Sequence, residues 1–423
     1  MNATAAVLPL PIRVRSLATS AATRMLPPEP LDYDAHCAVY GGLPYIDGER
    51  LIAGVEYSGL WGQGGAAFPA HRKMAAVREA ARKAGRRPVV VANGSEGEPA
   101  SAKDKALLWF APHLVLDGVA LAAAAVGADR AFLAVEVGHG LGRYLTKVRQ
   151  QRPSASVPVT IVEVPPRFLS GQESALVSFL NGGPAVPRFQ ARPVFERGVG
   201  GGPTLVQNVE TLAHLALIAR HGPAWYRSGT AGSLFTVRYA DSTPTVVEAP
   251  PTSSLQDVAG GAAGQAILVG GYHGTWLPME GVARSSPATL GVPLGAGLLA
   301  VLPHDRCGLV ETASILRYLA LESAGQCGPC LNGLPRMAAA FAELARPTPG
   351  SDLRQIHEDL SRWAGLVTGR GACRHPDGTA RLARSALVTF AAEADDHARG
   401  CCRAPSHPPM LPTSAASSAN EGV

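Results

Sequence analysis

Residues 88–104 read PVVVANGSEGEPASAKD. The run Pro88–Ala92 is short, β-branched and bounded by turn residues, which predicts a buried strand. A polar loop follows at once, at the end of an α/β strand where ligands bind. Outward from it, Arg72–Gly85 predicts a helix closed by glycine, His113–Gly127 a second helix, and Ala131–Val137 and Val157–Val164 two more strands. Strand and helix alternate from about residue 50 to 230. The predicted fold class is therefore α/β with a largely parallel sheet.

The texture changes after residue 231. Phe235–Tyr239 and Ala266–Gly270 predict short strands among glycine-rich turns, a small β-rich domain over 232–302. Val310–Glu322, Leu334–Leu344, Leu353–Thr368 and Ala380–Glu393 predict a helical bundle over 303–398. Residues 37–231 form the first domain, and 1–36 and 399–423 read as disordered tails. With 47 glycines and 35 prolines a coiled coil is excluded, and 46% hydrophobic residues exclude a disordered chain. The net charge of +5 comes without any run of five Lys/Arg, which argues against nucleic acid. Leu114–Val137 is interrupted by Asp117, Asp129 and Arg130, so no membrane span is expected. Seven cysteines, an odd number, suit a reducing cytoplasm better than a disulfide scaffold.

Four loops carry chemistry. In GLWGQGGAAFPAHRK (59–73), Gly62, Gly64 and Gly65 let backbone approach a phosphate, and Phe68 and Lys73 follow. Ala67 stands where G-x-G-x-x-G has its third glycine, so a plain tight turn remains the alternative. In the acidic loop, Asn93, Glu96 and Glu98 suit a ring, a ribose or a carboxamide, or else an Asx turn. Gly171, Gln172 and Glu173 follow a third strand, and in GGGPTLVQNVET (200–211) Gln207, Asn208 and Glu210 open a helix. For both of these, helix capping is the alternative. Cys327 and Cys330 form C-x-x-C, with Cys373 downstream. No H-E-x-x-H or G-x-S-x-G occurs, so hydrolase chemistry has no support.

In this order, these motifs resemble the flavoprotein (NADH-binding, F-type) subunit of NADH:quinone oxidoreductase, respiratory complex I. NAD-reducing hydrogenases and formate dehydrogenases share that subunit. PHLVLDG (112–118), NVETLA (208–213) and ESAGQCGPC (322–330) add to the resemblance. It implies a Rossmann-like domain holding FMN and binding NAD(H), a β-grasp domain of the soluble-ligand-binding type, and a bundle carrying a [4Fe–4S] cluster. The implied activity is NADH oxidation, with hydride passing to FMN and single electrons to the cluster. A thioredoxin-like iron–sulfur partner subunit or another acceptor would receive them, within a complex that can be peripheral to a membrane. By resemblance Gly62, Gly64, Gly65 and Lys73 meet the FMN phosphate and ring region, and Phe68 stacks on the dinucleotide. Asn93, Glu96, Gly171, Gln172, Glu173, Gln207 and Asn208 line the flavin pocket, and Glu98 faces NADH. Cys327, Cys330 and Cys373 bind the cluster.

The chain departs from the family at Ser95, Phe168, Gln172 and Gln207, and at Ala324, where a first cysteine is expected. The cysteine site thus has several open occupancies. One is a [4Fe–4S] cluster with a substitute ligand, such as His375, a tail cysteine or solvent. The others are an incomplete cluster, free thiols, or zinc bound by three cysteines and His375. The same departures motivate an alternative function, a degenerate binding or assembly module.

Overall fold

The computed structural model describes residues 11–18, 20–65, 67–138, 140–153, 157–189, 191–240, 242–402, 404 and 407–413. The chain begins with β1 (Arg13–Ser16), α1 (Tyr33–Tyr40) and α2 (Gly48–Ser58). There follow α3 (Ala70–Ala84), β2 (Val89–Gly94), α4 (Lys103–Phe110), α5 (Pro112–Val126), β3 (Arg130–Glu136) and α6 (Leu141–Gln151). The domain ends with β4 (Val159–Val164), α7 (Glu173–Leu180), β5 (Thr204–Asn208), α8 (Val209–His221) and α9 (Pro223–Arg227). The strands form one parallel sheet in the order β4-β3-β2-β5. Val90 and Ala92 face the core built with α5 and α8, while Val89 and Val91 face the core built with α7. A strand buried on both faces reads as an unbroken apolar run, which is why PVVVA was legible. Helix α5 is buried almost all round. A Cβ on its Gly118 would lie 2.0 Å from the Leu212 carbonyl oxygen, so glycine there lets α5 and α8 meet backbone to backbone.

The middle of the chain adds β6 (Ser233–Tyr239), β7 (Thr245–Ala249), α10 (Leu255–Val258), β8 (Ala266–Val269), β9 (Thr275–Pro278), α11 (Met279–Val282) and β10 (Leu298–Leu302). The sheet order is β1-β7-β6-β10-β8-β9. Pairs β1/β7 and β6/β10 are parallel and the others antiparallel. This mixed sheet corrects the expectation of an N-terminal tail over 1–36, whose first ten residues lie outside the described ones. Arg13–Ser16 completes the sheet edge. The Met25 and Leu26 amides then donate to the buried Glu248 carboxylate at 2.8 and 3.1 Å. Basic residues and Pro27–Pro30 gave the segment a tail-like composition, but these partners lie more than 200 residues away.

The last region comprises α12 (Gly308–Leu321), a π-helical turn (Pro329–Gly333), α13 (Leu334–Ala345), α14 (Leu353–Val367), α15 (His375–Thr389) and α16 (Ala391–Ala398). The fourth predicted helix is thus two, broken at the buried Phe390. The tail expected from residue 399 is also corrected as far as residue 413, the rest lying outside the described residues. Ala404, Met410 and Leu411 are buried in the bundle core. The Met410 and Leu411 amides donate to the Glu311 carboxylate at 2.8 and 2.9 Å. Among the described residues no single helix is long and apolar enough to cross a membrane.

Candidate functional site

The glycine loop lies between α2 and α3. Its backbone folds on itself, with the Gly62 amide donating to the Phe68 carbonyl (2.9 Å) and Ala67 to Gly64 (3.1 Å). The Gln63 amide donates to Thr211 Oγ1 (2.8 Å), fastening the loop to α8. A Cβ at Gly64 would lie 3.6 Å from the Asn208 Cβ, so loop and strand end converge. Phe68 and Trp61 are exposed on this loop. Lys73, in the first turn of α3, pairs with Glu173 at the start of α7 (Nζ–Oε1 2.6 Å).

On the opposite side Asn93 Nδ2 donates to the Gly171 carbonyl (2.7 Å), while its Oδ1 accepts the Ser95 amide (3.2 Å). A Cβ at Gly171 would stand 2.7 Å from the Ser95 carbonyl oxygen. Glycine is required by that close approach. Ser95 is buried, and its Oγ has no hydrogen-bond partner among the described residues. Asn208 Oδ1 caps α8 through the Glu210 amide (2.9 Å), and Nδ2 donates to Asp104 (2.7 Å). Glycine backbone, amide side chains and an orphaned hydroxyl thus gather at the carboxyl ends of β2 and β5. This donor set fits a planar polar ring with a phosphate arm.

Other predicted residues are engaged elsewhere. Glu96 is buried and accepts from Ser101 Oγ (2.5 Å) and the Asp104 and Lys105 amides (3.3 and 3.2 Å), holding the start of α4. Glu98, expected to face NADH, instead accepts the Tyr272 amide of the middle domain (3.1 Å). Burial raises its pKa to about 8, against the Tyr272 hydrogen bond. Gln172 folds back to cap α7, accepting from the Ser174 and Ala175 amides (2.8 and 3.0 Å). Gln207 is buried on β5, in register with Ala92. The Phe168 ring stacks edge-on to His273 (4.8 Å) and Tyr318 (5.9 Å), so this exchange alters a domain junction rather than the pocket.

Sequence reasoning missed Lys103 and Asp104, and placed Glu210 only among the residues that open α8, without its buried partner Lys103. Lys103 Nζ lies 2.7 Å from each carboxylate, and all three are buried directly behind Asn208. Burial opposes the Lys103 charge, but Asp104, Glu210 and Glu96 outweigh it and hold the proton on. Burial lifts Asp104 to about 6, with Lys103 pulling the other way. The one signal was a charged pair, Lys103–Asp104, directly after the acidic loop.

Cys327, Cys330 and Cys373 come together at the π-helical turn and the entry to α15. Cys330 is buried and interacts with both other thiols. Cys327 Sγ accepts the Ala372 and Cys330 amides, which outweigh burial and lower its pKa. Cys373 Sγ accepts the His375 amide, while burial raises its pKa overall. Three thiols receiving backbone N–H groups fit three corners of an iron–sulfur cluster. His375 is not a free fourth ligand. Its Nε2 meets the Leu319 carbonyl (2.8 Å) and its Nδ1 meets His273 Nε2 (2.9 Å).

Residues 55–217 match the family model described as "Nuo51 FMN-binding domain", and residues 311–397 match "NADH-ubiquinone oxidoreductase-F iron-sulfur binding region". The chain belongs to the family of F-type subunits of NADH:quinone oxidoreductase. A second F-type NADH-quinone oxidoreductase subunit of Rhizobium meliloti is 27% identical over 381 residues, covering 82% of this chain and 88% of its own. The F-type subunit of Streptomyces coelicolor is 28% identical, covering 84% of each. A NAD+-reducing [NiFe]-hydrogenase in the H2-reduced state superposes with a TM-score of 0.74 at 28% identity. That match covers 87% of this chain, which spans 64% of the hydrogenase chain. In this F-type chain the two matched regions are joined directly. Glu322 at the end of α12 pairs with Arg167 Nε (2.8 Å) and accepts the Phe168 amide (3.0 Å). The loop before Gly171 is thereby fixed to the segment that leads into Cys327.

Proposed function

We propose that the chain is the NADH-oxidising flavoprotein of a larger redox assembly, passing electrons onward to an iron–sulfur partner of the thioredoxin-like type. FMN supplies the exchange between two-electron hydride chemistry and one-electron transfer. The chain's own residues position and shield. The Gly64 and Gly65 backbone and Lys73 would receive the phosphate, and the Lys73–Glu173 pair keeps that cation at the mouth. Asn93, Ser95, Gly171 and Asn208 offer polar edges to the ring, and exposed Phe68 and Trp61 offer a stacking face to the dinucleotide. Buried Lys103 neutralises part of the charge of Asp104 and Glu210, and Asp104 in turn fixes the Asn208 amide at the ring site. Cys327, Cys330 and Cys373 provide thiolate ligands for the outgoing cluster. The cytoplasm suits seven unpaired thiols.

The observation that carries this reading is the buried, unpartnered Ser95 hydroxyl inside the glycine-lined cradle at the ends of β2 and β5. Anaerobic purification tests it. A yellow-brown protein that releases about one FMN per chain and is bleached by NADH is expected. Protein that stays colourless after reconstitution with FMN, iron and sulfide would favour the binding-module alternative.

A further inference from the structure

A second cluster of soft ligands lies apart from Cys327, Cys330 and Cys373. Cys307 directly precedes α12, Glu393 and His397 lie one turn apart on α16, and Cys402 follows that helix. The ligand atoms of Cys307, His397 and Cys402 all lie within 4.8 Å of one another. Cys307 Sγ is 3.6 Å from His397 Nε2 and 3.3 Å from Glu393 Oε2. A tetrahedral ion with Zn–S of about 2.3 Å and Zn–N of about 2.05 Å separates sulfur from nitrogen by about 3.6 Å. The observed spacing already has that value.

The surroundings are arranged as those of a metal site are. His397 Nδ1 is held on the Leu344 carbonyl (3.3 Å), which turns Nε2 toward the thiols. Glu393 Oε2 accepts the Gly308 amide (2.8 Å), so the carboxylate is fixed as well. Its other oxygen, Oε1, is buried without a hydrogen-bond partner among the described residues, and Glu393 is only 6% exposed. A buried carboxylate oxygen left unsatisfied, on a group whose other oxygen meets the Cys307 thiol, is costly unless a cation completes it.

We propose that Cys307, His397 and Cys402 bind one zinc-class divalent cation, with the Glu393 carboxylate, which meets Cys307, turning in as the fourth donor. The ion would tie the segment after α16 to the first turn of α12. It is structural rather than catalytic, because four protein ligands leave no open position.

The test uses full-length, untagged protein, dialysed and then loaded with zinc or with cobalt alone. One zinc per chain beyond the iron-site metal is expected, and cobalt should give an intense tetrahedral spectrum with a thiolate charge-transfer band. The half-buried Cys402→Ser variant is expected to keep its circular dichroism while losing that equivalent and that band. Cys307→Ser and His397→Ala should lose them too, whereas Cys327→Ser should keep both. Chelator should lower the thermal midpoint of the parent chain but not of Cys402→Ser. Retention of zinc and cobalt spectrum in a folded Cys402→Ser, or their loss only in Cys327→Ser, would overturn the proposal. So would the absence of any retained zinc in the parent.

Discussion

Ala67 occupies the place of a missing glycine, with φ at 41°. A Cβ in left-handed backbone costs about 1–2 kcal/mol, part of which a glycine returns through its freer unfolded state. Ala67→Gly is therefore expected to stabilise the loop by about 0.5–1 kcal/mol, which differential scanning calorimetry would register as a rise of about 2 °C. A fall would mean that the unfolded-state entropy outweighs the strain. Ala324 poses the complementary case. It is half-buried in the turn that leads to Cys327, and neither His375 nor Cys402 is at hand to replace a thiol there. Ala324→Cys is expected to raise the iron and sulfide retained per chain in air at least twofold, measured by colorimetric assay against the parent. Equal retention would show that the cluster does not need a fourth thiolate at this position. His375 looked like a ligand because it lies two residues after Cys373. Its actual partner, His273, comes from another domain, and local spacing carries no trace of that.

The loop from Ser95 to Ser101 is an element with two jobs, since Asn93 and Ser95 begin at the cradle while Glu98 reaches the Tyr272 amide. Glu98 titrates near 8 in the folded chain and near 4.5 when unfolded, the shift coming from burial. Between those values the folded state holds a proton that the unfolded state has lost. Stability therefore falls as pH rises through this window, by up to about 1.4 kcal/mol per pH unit, and levels off above pH 8. Glu248, lifted to about 7 by burial despite its Met25 and Leu26 hydrogen bonds, adds the same sign of slope up to pH 7. Glu98→Gln is expected to flatten the pH 7–8 part of the decline, read from urea midpoints across pH 5–9. An unchanged slope there would remove Glu98 as its source. The strands and helices around this loop were legible because both faces of β2 are apolar and because Gly85 and Gly127, both left-handed, close their helices. The inward roles of Glu96 and Glu98 were not, since an acidic loop reads the same whether its carboxylates meet a ligand or a neighbouring domain.

At the scale of the whole molecule, three successive regions were visible from composition, but what binds them together was not. Both terminal segments read as tails and both close on distant parts of the chain, β1 on β7 and the segment 407–413 on α12. Few apolar residues are involved, and the decisive contacts are long-range: Tyr272 OH donates to the Pro412 carbonyl, and Arg306 Nη1 to Pro408 (2.7 Å). Cys307 and Cys402 are illegible as partners for the same reason. Burying Met410 and Leu411 contributes about 1.5–3 kcal/mol each, before the two amides given to Glu311 are counted. Deleting residues 404–423 leaves Cys402 and the flavin cradle intact while removing this packing. The truncated chain is expected to lose about 3–6 kcal/mol from the bundle, with a lower thermal midpoint and faster limited proteolysis between α12 and α16. FMN content should stay near that of the full chain, because β2, β5 and the glycine loop make no use of the segment. A truncated protein of unchanged midpoint would mean that Met410 and Leu411 are no better buried in solution than in the unfolded chain. Loss of FMN along with stability would instead place the bundle and the cradle in one cooperative unit, joined through Glu322 and Arg167.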